Sequence, residues 1–191
     1  IYRHMDIGTA KPSKEEMSLV PHYLIDIIDP DEPFSVADFI QHFKAAKATI
    51  EAKGKLPIIV GGTGLYLNAL LRGFGLPIVP PQLRLRKELR EEAEKLGGQV
   101  LHERLQKLDA ITAARLHPND HFRVIRALEV VMTTGRPIAE QQKRGEPLIG
   151  GPYRLLCLTA ERELIYTRIN ERVDKMLKAG LILEVQNLLA M

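Results

Sequence analysis

The run Leu56-Pro57-Ile58-Ile59-Val60-Gly61-Gly62-Thr63-Gly64-Leu65-Tyr66 constrains this chain more than any other. Leu56 to Val60 is apolar at nearly every position, the pattern of a strand buried on both faces of a parallel sheet. Glycines follow at once, and a helix pattern follows them. Glycine permits positive φ and a close backbone approach to a ligand. A helix N-terminus offers free N–H groups and partial positive charge, both suited to phosphate. Thr63 would project its hydroxyl at the carboxyl end of the strand, where open α/β sheets bind ligands. Two readings stay open: a ligand-binding turn, or a tight strand-to-helix turn with no ligand. A Walker A loop is excluded here, because no Lys-Ser or Lys-Thr follows the glycines.

The flanking sequence extends the pattern. Residues 21–29, Pro-His-Tyr-Leu-Ile-Asp-Ile-Ile-Asp, read as a short strand stopped at Asp29-Pro30. Ser35 then precedes a helix predicted to run to about Ala52, with Asp38 in its first turn and Gly54 at its end. Strand, helix, strand, glycine turn and helix make a βαβ signature. The composition changes at Leu76-Pro77-Ile78-Val79-Pro80-Pro81. Beyond it the chain is charged and helical, with helices expected near 82–96, 98–107 and 120–134 and a short piece opening at Asp109. His117-Pro118-Asn119-Asp120 caps the third of these. Tyr153–Leu158 reads as a returning strand, followed by helices from Thr159 to about Ala179 and from 181 to 190. The expected organisation is an α/β core over 1–81 and 147–191, with an all-helical insertion over 82–146.

Charge supports that division. The net charge is +3, and the segment 82–146 holds 13 Lys/Arg against 10 Asp/Glu, while 1–81 holds 8 against 9. A mildly basic helical segment is a weak pointer to nucleic acid. No apolar run approaches the roughly 20 residues of a membrane span, and no signal peptide opens the chain. The first residue is not Met, which implies a start upstream. Cys157 is the single cysteine, so an internal disulfide is excluded; in an apolar run it reads as a small buried hydrophobe. No His pair has metal-ligand spacing, and no protein metal site is expected.

Three basic groups could carry chemistry. Arg123 and Arg126 stand at i and i+3 on one helix face, a spacing that suits phosphate and equally suits solvated arginines pairing with Glu129. Arg168, Arg172 and Lys175 stand at i, i+4 and i+7; they could close over a diphosphate or form a solvated face beside Glu171 and Asp174. Arg84, Arg86, Lys87 and Arg90 could track a nucleic-acid backbone, but the intervening glutamates read as an ordinary solvated helix. Asp6 and Lys11 fall in a polar loop whose spacing specifies no chemistry.

Several segments together carry a resemblance. They are Ile1-Tyr2-Arg3-His4-Met5-Asp6-Ile7-Gly8-Thr9-Ala10-Lys11-Pro12, Pro21–Asp26, Phe34–Phe39, the glycine turn, His117–Asp120 with Arg123–Glu129, and Arg168–Met176. In this order they resemble the tRNA dimethylallyltransferase (tRNA isopentenyltransferase) family. The resemblance implies a P-loop kinase-like α/β fold, a three-layer α/β/α parallel-sheet core with a helical insertion that grips the anticodon stem-loop. It implies transfer of a dimethylallyl group from dimethylallyl diphosphate to N6 of the adenosine 3′ of the tRNA anticodon. It places Thr63 at the reaction site and against the tRNA. It places Arg86, Arg123 and Arg126 on the tRNA, and Arg172 with Arg168 on the diphosphate. Mg²⁺ is the implied cofactor, and a cytoplasmic monomer with no membrane partner is the implied state. The family's phosphate loop and its general-base Asp would lie upstream of Ile1, and its C-terminal part beyond Met191. The fragment alone is therefore expected to be inactive. A prenyltransferase acting on free adenine nucleotides, a P-loop nucleotide kinase and a non-catalytic RNA-binding module are the alternatives.

Overall fold

The computed structural model describes residues 1–73, 79–141, 147–149 and 152–191. The stretch Leu76–Ile78 and the 146/147 boundary expected from composition lie outside the described residues. Contacts divide the chain into two compact units. One is Ile1–Tyr66 with Gly151–Met191, the other Leu67–Gly150.

The second unit is a helical cluster. It holds α4 (Leu83–Leu96), α5 (Gly98–Leu108), the one-turn helices α6 (Ala110–Ala113) and α8 (Ile138–Gln141), and α7 (His121–Thr134). The positions expected for the long helices agree with these to within a residue or two. On α4, Leu85, Leu89 and Ala93 repeat every fourth residue and form its inner stripe. On α5 the stripe is Leu101 and Leu105, both fully buried. α7 is central, since Val124, Ile125, Ala127, Leu128, Glu129, Val130 and Val131 are all buried. Burying each of the fully enclosed leucines contributes about 1.5–3 kcal/mol.

Caps and turns position these helices. The Asp120 carboxylate accepts the N–H of Arg123 at the start of α7, and Gly135 ends that helix with φ 67°. Asp109 is 3% exposed; its carboxylate accepts Thr112 N–H at 3.0 Å and Ile138 N–H at 2.9 Å, so one side chain anchors α6 and α8. Gly98 opens α5 against the turn before α7. A Cβ there would lie 2.7 Å from the Pro118 carbonyl oxygen and 2.2 Å from His121 Nε2.

The first unit holds α1 (Lys14–Leu19), α2 (Val36–Ala52), α9 (Arg162–Lys178) and α10 (Leu181–Leu189), and the unit boundary falls within α3 (Gly64–Arg72). Helix α1 was not foreseen, although Ser13 and Glu16 form a capping box there. The expected cap of α2 is present: Ser35 Oγ accepts Asp38 N–H, and the Asp38 carboxylate accepts Ser35 N–H at 2.8 Å. Among the described residues no helix is long and apolar enough to cross a membrane.

The expected parallel-sheet α/β core is corrected by the structure. Among the described residues there is no strand, and pairing is limited to one isolated parallel bridge between Tyr2 and Ile28. Leu56–Val60 and Tyr153–Leu158 form no ladder, and Val60 and Leu158 are 90% and 97% exposed. Apolarity reports suitability for a sheet interior, but a strand exists only when neighbours satisfy its N–H and C=O groups. Cys157 is corrected with them: it is exposed, because the run that would enclose it packs against nothing described. The stripe of α9 likewise buries no residue.

Gly98→Ala is expected to destabilise the helical unit by about 1–3 kcal/mol, since a backbone carbonyl has to move to admit the methyl group. Urea unfolding followed by circular dichroism measures it, and an unchanged midpoint would show that the α5 approach is loose.

Candidate functional site

Unit by unit, the structure sorts the sequence-predicted residues into two groups. Thr63, Arg168 and Arg172 belong to the first unit and are all exposed. Thr63 immediately precedes α3, and Gly61, Gly62 and Gly64 have open space where a Cβ would lie. Among the described residues, steric crowding therefore does not require glycine at these three positions. Tyr66, three residues on, is fixed from α2. Its ring stacks on Phe39 with centroids 4.1 Å apart and planes 6° apart, and Phe34 meets it edge-on at 6.5 Å. Burial raises the Tyr66 phenol above its ordinary pKa. The stack holds the start of α3 and leaves Thr63 outside the packed region. Arg168 and Arg172 sit one turn apart on α9.

Arg86, Arg123 and Arg126 belong to the second unit. Arg86 and Arg126 are brought together on one carboxylate, that of Glu129, whose side chain is 0% exposed. Arg86 donates from Nε to Glu129 Oε1 at 2.8 Å and from Nη2 to Oε2 at 2.9 Å, a bidentate fork. Arg126 Nη1 donates to Oε2, and its Nη2 donates to the Val79 carbonyl at 3.2 Å. The Gln82 N–H donates to Oε1 at 2.6 Å. Burial alone would raise the Glu129 carboxyl, but the bonds from Arg86, Arg126 and the Gln82 backbone outweigh it and hold it below the usual 4.5. Arg123 stands apart from this knot, with its side chain 72% exposed and 3.4 Å from Asp120. Arg84 is a solvated partner of Glu88 at 2.8 Å.

A second network, in the first unit, was not read from sequence. The Lys11 side chain is 6% exposed; its Nζ donates to Asp6, to Asp26 and to the Tyr2 carbonyl at 3.0 Å. Glu184 on α10 accepts three consecutive backbone N–H groups, from Asp6, Ile7 and Gly8, at 2.8, 2.7 and 2.9 Å. Burial tends to raise the Glu184 carboxyl, and the three backbone donors more than reverse this. The motif around Asp6 and Lys11 was visible in the sequence, but the partner 176 or more residues away carried no local signal.

The Glu129 carboxyl has a folded pKa below its unfolded one, so its stabilisation is present above about 4.5 and is lost as pH falls through the folded value. Glu129→Gln is expected to cost about 3 kcal/mol at neutral pH, because two arginines lose their counter-charge. It should also flatten the loss of stability below pH 4.5. Denaturant titrations of both proteins from pH 3 to 7 measure this, and parallel pH profiles would disprove the assignment.

With this geometry in place, the comparisons with known proteins are specific. The chain matches the family described as IPP transferase over residues 1–191. It is 50% identical to a tRNA dimethylallyltransferase of Syntrophobacter fumaroxidans, covering 100% of this chain and 56% of that protein. It is 49% identical to one of Geobacter metallireducens, covering 100% of this chain and 62% of that protein. It thus spans about three-fifths of the length of these relatives. Among solved structures, a full-length tRNA isopentenylpyrophosphate transferase of Bacillus halodurans is 45% identical with a TM-score of 0.58, over 100% of this chain and 58% of that one. A eukaryotic dimethylallyltransferase acting on tRNA is 28% identical with a TM-score of 0.79, over 99% of this chain and 47% of that one. A match running from the first residue to the last, through the glycine turn and all three helices that bear the site arginines, places this chain in the IPP transferase family.

Proposed function

We propose that this chain is part of an enzyme that transfers a dimethylallyl group from dimethylallyl diphosphate to N6 of the adenosine 3′ of a tRNA anticodon. The observation that carries this reading is the end-to-end identity of 50% with a tRNA dimethylallyltransferase, which leaves no segment of the chain unaccounted for. In the reaction a bond forms between the adenine N6 and the primary carbon of the donor. The carbon–oxygen bond to diphosphate breaks, diphosphate leaves with the electron pair, and N6 loses a proton.

The chain's own residues supply binding and orientation. Arg172 and Arg168, exposed on α9, neutralise charge that builds on the departing diphosphate. Thr63, exposed just ahead of α3, contacts the reacting adenine edge. Arg86, Arg123 and Arg126 bind the tRNA backbone, which requires only positive charge and N–H donors. The target adenine has to leave its stack, at a cost of a few kcal/mol that a single-stranded loop reduces. Among the described residues no group of three or more His, Cys, Asp or Glu could hold a metal. Mg²⁺ is usually held by one or two carboxylates together with substrate phosphates rather than by such a cluster, and no step is assigned to it. With tRNA as its substrate, we read the enzyme as cytoplasmic.

Complementation tests the whole reading. The full-length parent gene, expressed in a strain lacking the N6-prenyl mark, should restore prenylated adenosine in hydrolysed tRNA, as seen by mass spectrometry. Unmodified tRNA despite expressed protein would refute it. In the purified full-length enzyme, Arg172→Ala should lower kcat/KM for the diphosphate donor about 10²-fold and leave the tRNA Kd unchanged, the scale expected for a lost charge-assisted contact to a leaving group. A donor kcat/KM within twofold of wild type would remove Arg172 from the site.

A further inference from the structure

Glu129 has no part in the chemistry above, yet it is the most completely enclosed charge among the described residues. We propose that Glu129 is a positioning residue that holds the Arg86 and Arg126 guanidiniums side by side as a cradle for an RNA phosphodiester. The inference rests on the tRNA reading, and it adds the device by which the helical unit would present its positive charge.

The Glu129 carboxylate is saturated with donors. Glu129 Oε1 accepts from Arg86 Nε and Gln82 N, and Oε2 accepts from Arg86 Nη2 and Arg126 Nη1. All four acceptor positions of the carboxylate are engaged. With the side chain 0% exposed, it shows no negative oxygen to a ligand. The two cations that share it are 23% and 27% exposed. Two positive charges against one negative leave a net charge of +1 at the rim.

Donor supply points the same way. A guanidinium has five N–H donors. Each arginine commits two of them to described partners, Arg86 both to Glu129, and Arg126 one to Glu129 and one to Val79. A phosphate takes several N–H donors in the planar fork geometry that arginine offers. Left alone, two guanidiniums in hydrogen-bond range of one oxygen atom would repel and part. The shared carboxylate holds them together, and the Val79 carbonyl fixes the second one. The ordering cost is thereby met before RNA arrives.

A purely structural role accounts for less of this. A buried carboxylate and one arginine already make a neutral pair, and an apolar pair of similar volume often stabilises a fold equally well. The second arginine adds uncompensated charge, which a structural clasp does not need. Arg123, three residues before Arg126 on α7 and largely exposed, extends the positive face.

The test uses the full-length enzyme and an unmodified tRNA transcript. Kd for the transcript is measured at several KCl concentrations, beside steady-state KM and kcat for both substrates. For Glu129→Gln, Kd and KM for tRNA should rise about tenfold, and the slope of log Kd against log salt should fall by about 1, as when one phosphate contact is lost. The loss should be confined to tRNA KM, with kcat at saturating tRNA and KM for dimethylallyl diphosphate within about twofold of wild type. A folded Glu129→Gln with unchanged tRNA Kd and salt slope overturns the proposal. If that variant does not fold, Arg86→Lys keeps the charge and loses the fork; it should raise tRNA Kd about three- to tenfold, and an unchanged Kd overturns the proposal equally. A wild-type enzyme that prenylates tRNA while the variants bind normally refutes this inference alone. A wild-type enzyme that neither binds nor prenylates tRNA refutes the tRNA reading with it.

Discussion

A carboxylate removed from water has to be compensated, and in the helical unit that requirement organises everything around Glu129. Its compensation comes from three places: Arg86 on α4, Arg126 one turn earlier on α7, and the Gln82 backbone at the entrance to α4. Val79 is drawn in through Arg126. One ion therefore fixes how residues 79–82 lead into α4, the register of α4 on α7 and the rotamers of two long side chains. The apolar stripes of α4, α5 and α7 supply the bulk of the stabilisation, but leucines packing on leucines tolerate sliding. The Glu129 knot does not, because a displaced partner leaves a buried charge exposed to its full desolvation cost.

The first unit depends on a different kind of fastening. Few of its side chains are buried; Phe39 and Phe43 on α2 are the main ones. Its N-terminal loop is held by polar contacts, with Lys11 bridging Asp6 and Asp26, and Glu184 gathering three main-chain N–H groups. In the segments on either side of α1, His4, Ala10, Leu24 and Asp26 all have positive φ, an expensive arrangement for residues other than glycine. Such a backbone persists only where its surroundings over-determine it, and the two polar networks do so.

The longer helices were legible in the sequence because their signals are local, while the six-residue α1 was missed in spite of its local capping box. Ser35 with Asp38, Asp120 ahead of α7, and the glycine at 54 mark ends that the chain itself satisfies within a few residues. The strands were not, because a strand is a relation between segments. Leu56–Val60 has the composition of one and lacks any described neighbour to complete it. The site divides along the same line. The resemblance pointed to Arg86 and Arg126, and the i, i+3 spacing allowed Arg126 to pair with Glu129. That Arg86, 43 residues away, shares the same carboxylate follows from helix packing, which periodicity does not encode. The Glu184 contact spans nearly the whole chain and was invisible for the same reason.

That contact has a consequence for how sequences of this kind can vary. Glu184 reads only main-chain donors at positions 6 and 7, and every amino acid except proline supplies those. Substitutions at Asp6 or Ile7 therefore need no matching change at position 184, and methods that infer proximity from paired substitutions would register little between them. Gly8 differs, because an added Cβ would press within 3.2 Å of Leu181 and 3.4 Å of the Glu184 carboxylate. The tether between the two ends of this chain would thus appear in a set of homologues as two separately restricted sites, a small residue near the start and an acid near the end, with no statistical link between them.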